Sequence, residues 1–427
     1  MKSIRRNLLI VISIVLIIGI GIGIRLSREE PAKKGGEIVA TETPGDNQGE
    51  TLTDEEILSG YFPTDYIGYR YSVLPGMTTW PYGNHQEMID ACQIPETVIA
   101  QMSTEELLQS VIVYPLFGDI YAYDNLADGF EAVKEYFYGL QELCARSGRV
   151  ECLFDYVSAH RDWYQENSTV TGNEYFDHLR VAFRRNIGFL AGSEDFRINE
   201  QGEETSVVDF LNEALTNSTG MRTEENRDAT PTTYLWIEGM VEDTYQTVYT
   251  PRGAPMSAVT YKACECWRYS DGNVYYRIMN DLSAEGKADC ANSMYALYSL
   301  YPDSGRNATV KYNCHSYAWY STSSNNTNWI ESFNTTNYIL TTLQSVNVGE
   351  IVVYCDSYGG NVNSGTLRTH SALVISKIYH PVHQNVVEDL SMKSKWGRCG
   401  VYSHNFANCP YYKYRSTNYI SDRLYYN

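Results

Sequence analysis

Basic charge is in short supply in this chain. Thirty-three Lys and Arg face 52 Asp and Glu, a formal net charge of −19. A nucleic-acid partner requires a basic surface to neutralise phosphates, so no nucleic acid is expected. Closely spaced cysteine pairs of the knuckle type are missing too. The ten cysteines stand at 92, 144, 152, 264, 266, 290, 314, 355, 399 and 409. Cys264, Cys266, Cys290 and Cys314-His315 run as C-x-C followed by a long gap, which does not fit a structural zinc site. Neither a metal nor a cofactor is expected. The N-terminal region also lacks a lipobox cysteine and a small-x-small cleavage site.

What is present starts at that N-terminus. Lys2, Arg5 and Arg6 precede an apolar run from Leu8 to Ile24, and Arg25 and Arg28 follow it. Its seventeen residues sit where signal-peptide cores end and membrane spans, which need about 17–25 residues, begin. Residues 1–28 are expected to be an uncleaved transmembrane helix with the remainder of the chain outside. The membrane is then a partner and the location is the cell membrane, single-pass. A cleaved signal peptide and secretion are the alternative. Residues 29–56, with Pro31, Gly35-Gly36 and Pro44-Gly45, read as a flexible linker.

Ten cysteines in an exported chain point to disulfides. Cys399 and Cys409, flanking a turn, are the first candidate pair. The 37 tyrosines suit contact with glycan or wall polymer, or ordinary core and edge-strand packing. Residues 309–427 carry nine Lys/Arg against six Asp/Glu, so this segment is mildly basic. That balance favours an anionic polymer, an attraction that salt screens.

Residues 57–218 have helical periodicity and suggest an accessory bundle of about five helices. Ser103-Thr104-Glu105-Glu106 is a capping box before Leu107, Leu108, Val111 and Ile112. Phe130, Val133, Tyr136, Phe137, Leu140 and Leu143 keep a helical period up to Gly148. Arg180, Arg184 and Arg185 read as a solvated helix face. A polar stretch at 219–230 marks a boundary. In residues 231–427, Asp271-Gly272-Asn273 between two aromatic-rich runs signals a hairpin. Residues 283–300 read as a helix, and strands dominate from 346 onward. The fold class is α+β: a mostly helical domain, then a domain with a central antiparallel sheet and a cysteine-bearing helix.

The chemistry centres on Tyr312-Asn313-Cys314-His315-Ser316-Tyr317-Ala318-Trp319-Tyr320. Asn313 is a good N-cap, so Cys314 falls at a helix start, where free N–H groups stabilise a thiolate. A nucleophile also needs a base. His370 opens the apolar strand His370-Ser371-Ala372-Leu373-Val374 and is the candidate.

The order Cys on a helix start, Val348-Gly349-Glu350-Ile351-Val352-Val353, His370-Ser371-Ala372-Leu373-Val374, then a strand ending Ser394-Lys395-Trp396-Gly397 resembles the papain-like cell-wall amidases and endopeptidases of the NlpC and CHAP type. The likeness covers about residues 309–427. It implies a papain-like domain over 231–427 in which Cys314 is the nucleophile and His370 the general base. Glu350 stands where the family carries Asp and shapes the strand entry. A third residue near the end of the next strand orients the imidazole. Lysine cannot accept an imidazole N–H, so Ser394 is chosen over Lys393 and Lys395, with Glu388 and His404 in reserve. His315 departs from the family pattern and is expected to pack on the surface. The implied reaction is thioester acyl transfer on an amide or peptide bond in peptidoglycan, making the chain a cysteine hydrolase. Two alternatives stand beside it. One is a catalytically inactive surface protein that binds wall glycan or peptide. The other is a transglutaminase-like acyltransferase using Glu388 or Asp389.

Overall fold

The computed structural model describes residues 52–124, 126–159, 173–197, 233–269, 274–355, 368–411, 414–415, 419–420 and 422–426. The apolar run Leu8–Ile24, almost all of the linker and the polar boundary at 219–230 lie outside them. Among the described residues, no helix is long and apolar enough to cross a membrane. The longest, Glu174–Gly192, carries Asp177, Arg180, Arg184 and Arg185. Side chains of that charge are costly in hydrocarbon. This corrects the expected transmembrane helix, and with it the membrane partner and the single-pass location.

Residues 53–427 form one compact unit, an α+β fold with antiparallel sheets. Its first half holds α1 (Asp54–Tyr61), α2 (His85–Ala91), α3 (Glu96–Ile99), α4 (Thr104–Ile112), α5 (Leu126–Tyr136), α6 (Tyr138–Ala145), α7 (Arg149–Ala159), α8 (Glu174–Gly192) and α9 (Glu194–Arg197). Local chemistry starts several of them. Thr53 with Glu56, and Ser103 with Glu106, form capping boxes at α1 and α4. The periodic run from Phe130 to Leu143 is two helices rather than one. Phe137 between them is extended (φ −105°, ψ 102°), and its ring stacks on Tyr114 at 3.7 Å. Tertiary stacking of the aromatic ring outweighs helical continuity there.

The second half begins with β1 (Thr233–Tyr249), β2 (Pro255–Tyr269) and β3 (Val274–Met279), an antiparallel sheet. Arg268 pairs with Val274, as the expected hairpin requires, although its turn at 271–273 lies outside the described residues. Helix α10 (Ala284–Tyr298) ends at Ser299, which takes the left-handed conformation (φ 54°). Helix α11 (Cys314–Trp319) follows. Then come β4 (Leu340–Thr341), β5 (Ile351–Cys355), β6 (Arg368–Tyr379), β7 (Val387–Lys395), β8 (Val401–His404), β9 (Tyr414–Arg415), β10 (Tyr419–Ile420) and β11 (Asp422–Tyr426). Six of these strands make one antiparallel sheet in the order β4-β11-β5-β6-β7-β8.

The two halves interlock through buried polar contacts. The Trp80 indole N–H donates to the Leu297 carbonyl at 2.9 Å. Asp119, fully buried, accepts from the hydroxyls of Tyr136 (2.8 Å) and Tyr298 (2.6 Å). Arg185, expected on a solvated face, is 4% exposed and ion-paired with Asp289 on α10. Burial of a guanidinium demands such a partner, and sequence periodicity does not reveal one.

The halves approach each other closely at Gly397. Its φ is +40°, and a Cβ there would sit 1.9 Å from the Tyr123 carbonyl oxygen. Gly397→Ala should therefore destabilise the fold by about 2 kcal/mol or more. Urea denaturation measures this, and an unchanged midpoint would rule out the close approach.

Candidate active site

Asn313 fixes the start of α11. Its side-chain oxygen accepts the N–H groups of Ser316 (3.0 Å) and Ile330 (3.2 Å). Its amide nitrogen donates to the Ile330 carbonyl (2.9 Å) and to Asp124 Oδ2 (2.8 Å). Every polar atom of this buried N-cap side chain is thus engaged, and Cys314 is held at the first helical position. The apolar side of α11 packs on the sheet. Trp319 stacks on Phe333 at 4.2 Å and joins Ile351 and Val353, while Tyr317 meets Val401 and Leu373.

Cys314 is fully buried. Burial drives its thiol well above the usual range, and the neighbouring Asp124 carboxylate adds to the rise. The backbone N–H groups of Ser371 and His315 oppose the rise without cancelling it. An activated thiolate was expected from the helix start. In this closed form the thiol is neutral, because desolvation exceeds what two N–H groups supply. His315 is also not on the surface: it is 2% exposed, and its Nδ1 lies 2.8 Å from Ser371 Oγ.

Strand β6 sets His370 and Ser371 on opposite faces. Ser371 Oγ accepts the Trp319 indole N–H at 3.0 Å, so its face is the α11 face. His370 turns to the other, where it meets β7 and β8. Burial there gives it a pKa well below the ordinary histidine range.

The hydrogen bonds on that face determine the imidazole tautomers. His404 Nδ1 lies 3.0 Å from the Asn405 carbonyl, which can only accept, so Nδ1 carries the proton. Burial pushes His404 down to about 4, so the ring is neutral near pH 7 and its Nε2 is a bare acceptor. Ser394 Oγ, 2.7 Å away, donates its one proton to that nitrogen. The same oxygen then accepts the Trp396 indole N–H at 3.1 Å. It lies 2.9 Å from His370 Nε2, which must therefore carry a proton. His370, neutral, keeps a bare lone pair at Nδ1. That atom is buried and has no hydrogen-bond partner among the described residues.

The structure thus brings together His370, Ser394 and His404, with Ser394 in direct contact as expected and His404 behind it. It does not bond Cys314 to His370. The backbone N–H that favours the thiolate there is that of Ser371, one residue along from His370. Glu388 is exposed, and Asp389 pairs with Ile378, at the far end of β6 from His370. Glu350 accepts the Asn347 N–H (2.7 Å) and side-chain amide (2.9 Å), and so shapes the entry to β5. Trp396 and Tyr402 are fully buried in the core.

Two contributors were not anticipated. Tyr411 stacks on the His370 ring at 4.0 Å and donates its hydroxyl to the Ala122 carbonyl at 2.7 Å. Asp124, from the helical half, approaches Cys314, and burial raises its pKa to about 7. It lies 189 positions from Asn313, which it accepts, and no local pattern marks it. Two donor clusters each lie within 4.8 Å: His370, His404 and Cys409, and Asp124, Cys314 and His315. Ser394 bridges His370 and His404 in the first, while in the second Asp124 and His315 bond Asn313 and Ser371 instead of each other. Comparison with protein-family models, with curated proteins and with solved structures finds no match.

Two outcomes follow from the titrating groups. The unfolded chain protonates His404 as pH falls through about 6.5, whereas the folded chain resists until about 4. Stability is therefore lost between those values, on the order of 3 kcal/mol. Asp124 has the opposite sign, its raised pKa favouring the fold at low pH. The test is thus the difference between wild type and His404→Gln, from urea midpoints at pH 7 and pH 4.5. The variant should lose less on acidification, and an equal loss would contradict the assignment. Separately, Asp124→Asn removes a charge that opposes the Cys314 thiolate. Iodoacetamide should then label Cys314 faster at pH 8, and an unchanged or slower rate would count against the contact.

Proposed function

We propose that this chain is a cysteine hydrolase with a papain-like C-terminal domain, acting on an amide or peptide bond of a peptidoglycan peptide. The observation that carries the reading is the bare Nδ1 of His370, left as a base by the Ser394–His404 relay. In the reaction, opening must also bring the Cys314 sulfur, on the α11 face of β6, within reach of Nδ1, which takes the thiol proton, and the thiolate adds to the substrate carbonyl. The C–N bond then breaks as the imidazolium gives its proton to the leaving amine. Water, deprotonated by His370, cleaves the thioester and restores the thiol. Throughout, Nε2–H stays on Ser394 Oγ, which holds the ring in one orientation. A wall substrate requires export, and the signal-peptide alternative for residues 1–28 is the reading that supplies it.

Turnover also requires opening. Cys314 and His370 are both fully buried. Tyr411 is tied to the Ala122 carbonyl and packs on Tyr123 at 4.6 Å. The Tyr411 segment and the stretch at 121–124 must separate before a peptide can reach the sulfur. The same burial is what favours the second reading, a catalytically inactive binding protein. The acyltransferase alternative is weakened by the positions of Glu388 and Asp389.

Turnover of wall peptide fragments decides between them. Cys314→Ala should abolish hydrolysis with the circular dichroism spectrum and melting curve retained. His370→Ala should lower kcat/KM by about 10²–10⁴-fold or more, and Ser394→Ala by less. Hydrolysis by the Cys314→Ala protein at the wild-type rate would remove the catalytic reading.

A further inference from the structure

Cys399 does not turn towards Cys409, its expected partner. It lies in the turn between β7 and β8, fully buried, with its sulfur 3.5 Å from the Tyr121 carbonyl and 3.9 Å from the Cys290 carbonyl. The Cys399 sulfur thus lies against Cys290. Cys290 is on α10, 109 positions away and equally buried. Cys409 has other neighbours: it sits with His370 and His404.

We propose that Cys290 and Cys399 are a modification site, oxidised by a low-molecular-weight disulfide to an intrachain cross-link between α10 and the β7–β8 turn. In the first step the Cys290 thiolate attacks one sulfur of the small disulfide, whose S–S bond breaks and releases one thiolate. In the second, the deprotonated Cys399 sulfur attacks the mixed disulfide at Cys290, closing the cross-link and releasing the other. The two cysteine protons end on the two small thiols. The cysteines are oxidised and the small disulfide is reduced.

Local chemistry suits Cys290 for the first attack. Burial works against its thiolate, but the neighbouring Cys399 thiol and the Arg398 and Lys395 charges outweigh burial and hold it below the ordinary range. Such a thiol is the attacking form in exchange. Because both sulfurs are buried in the finished fold, exchange occurs during folding or when the 396–400 turn opens. The cross-link closes a long loop, the case in which a disulfide restricts the unfolded chain most. It also fastens to α10 the turn that begins with Trp396, the indole partner of Ser394.

The test uses the full chain incubated with oxidised glutathione, denatured, alkylated with iodoacetamide, digested and mapped by mass without reduction. The expected product joins the Cys290 and Cys399 peptides with the loss of two hydrogens. Its formation should raise the melting temperature, and the rise should reverse on reduction and be absent in Cys290→Ser. Alkylation of both cysteines after oxidation, or a Cys399–Cys409 product, would overturn the proposal. The mapping is done on the wild-type chain and does not depend on whether the variant folds.

Discussion

One hydroxyl proton organises the candidate site. Ser394 Oγ has a single proton to give and two lone pairs to receive with, and all three are committed. The proton goes to His404, and the lone pairs take the N–H groups of Trp396 and His370. Because the Asn405 carbonyl fixes the tautomer of His404, nothing in this chain of bonds is free to reverse while both rings are neutral. Burial keeps them neutral. The consequence appears at the far end, where His370 presents an unprotonated Nδ1. A protein interior seldom leaves a polar atom unbonded without cause, and a base awaiting a proton is such a cause.

The relay depends in turn on how the two halves of the chain meet. The residues after β7 lie against the segment 121–123: Gly397 abuts the Tyr123 carbonyl, and the Cys399 sulfur approaches Tyr121. Lys395 is fully buried, its ammonium donating to the carbonyls of Thr309 (3.0 Å) and Gly397 (2.6 Å). Burial lowers its pKa to about 8. These contacts hold the turn in which Trp396 and Ser394 are placed. They also close the site, because Tyr123 and Ala122 engage Tyr411 over the His370 ring. Positioning and occlusion thus come from one set of contacts, and opening for substrate has to spare the first while releasing the second.

Features written in local chemistry were legible in the sequence. The Ser103 capping box, the helix near 283–300 and the antiparallel β2–β3 pair rest on neighbouring residues, and the structure has them; the apolar strand at His370 is there too, but it starts at Arg368, so His370 is its third residue, paired with Tyr354. Ser394 was reachable from the resemblance, which asks for a third residue near the strand end, because neither adjacent lysine can accept an N–H. Features that depend on distant partners were not legible. Arg185 reads as solvated until Asp289 is placed beside it. Asp124 has no signature of its own and matters because Asn313 draws it to Cys314. The ten-residue spacing of Cys399 and Cys409 suggested a pair that three-dimensional packing replaces with Cys290. The papain-like likeness rests on motif order alone, and hydrogen-bond direction, the strongest support for its base, is invisible at that level.

¹⁵N–¹H correlation spectra of the histidine side chains in the full chain measure the position of the His370 proton most directly. At pH 7 the His370 ring should be neutral, with its proton on Nε2 and none on Nδ1, and Ser394→Ala should remove this fixed pattern. A His370 ring protonated at Nδ1, or present as imidazolium at that pH, would contradict it.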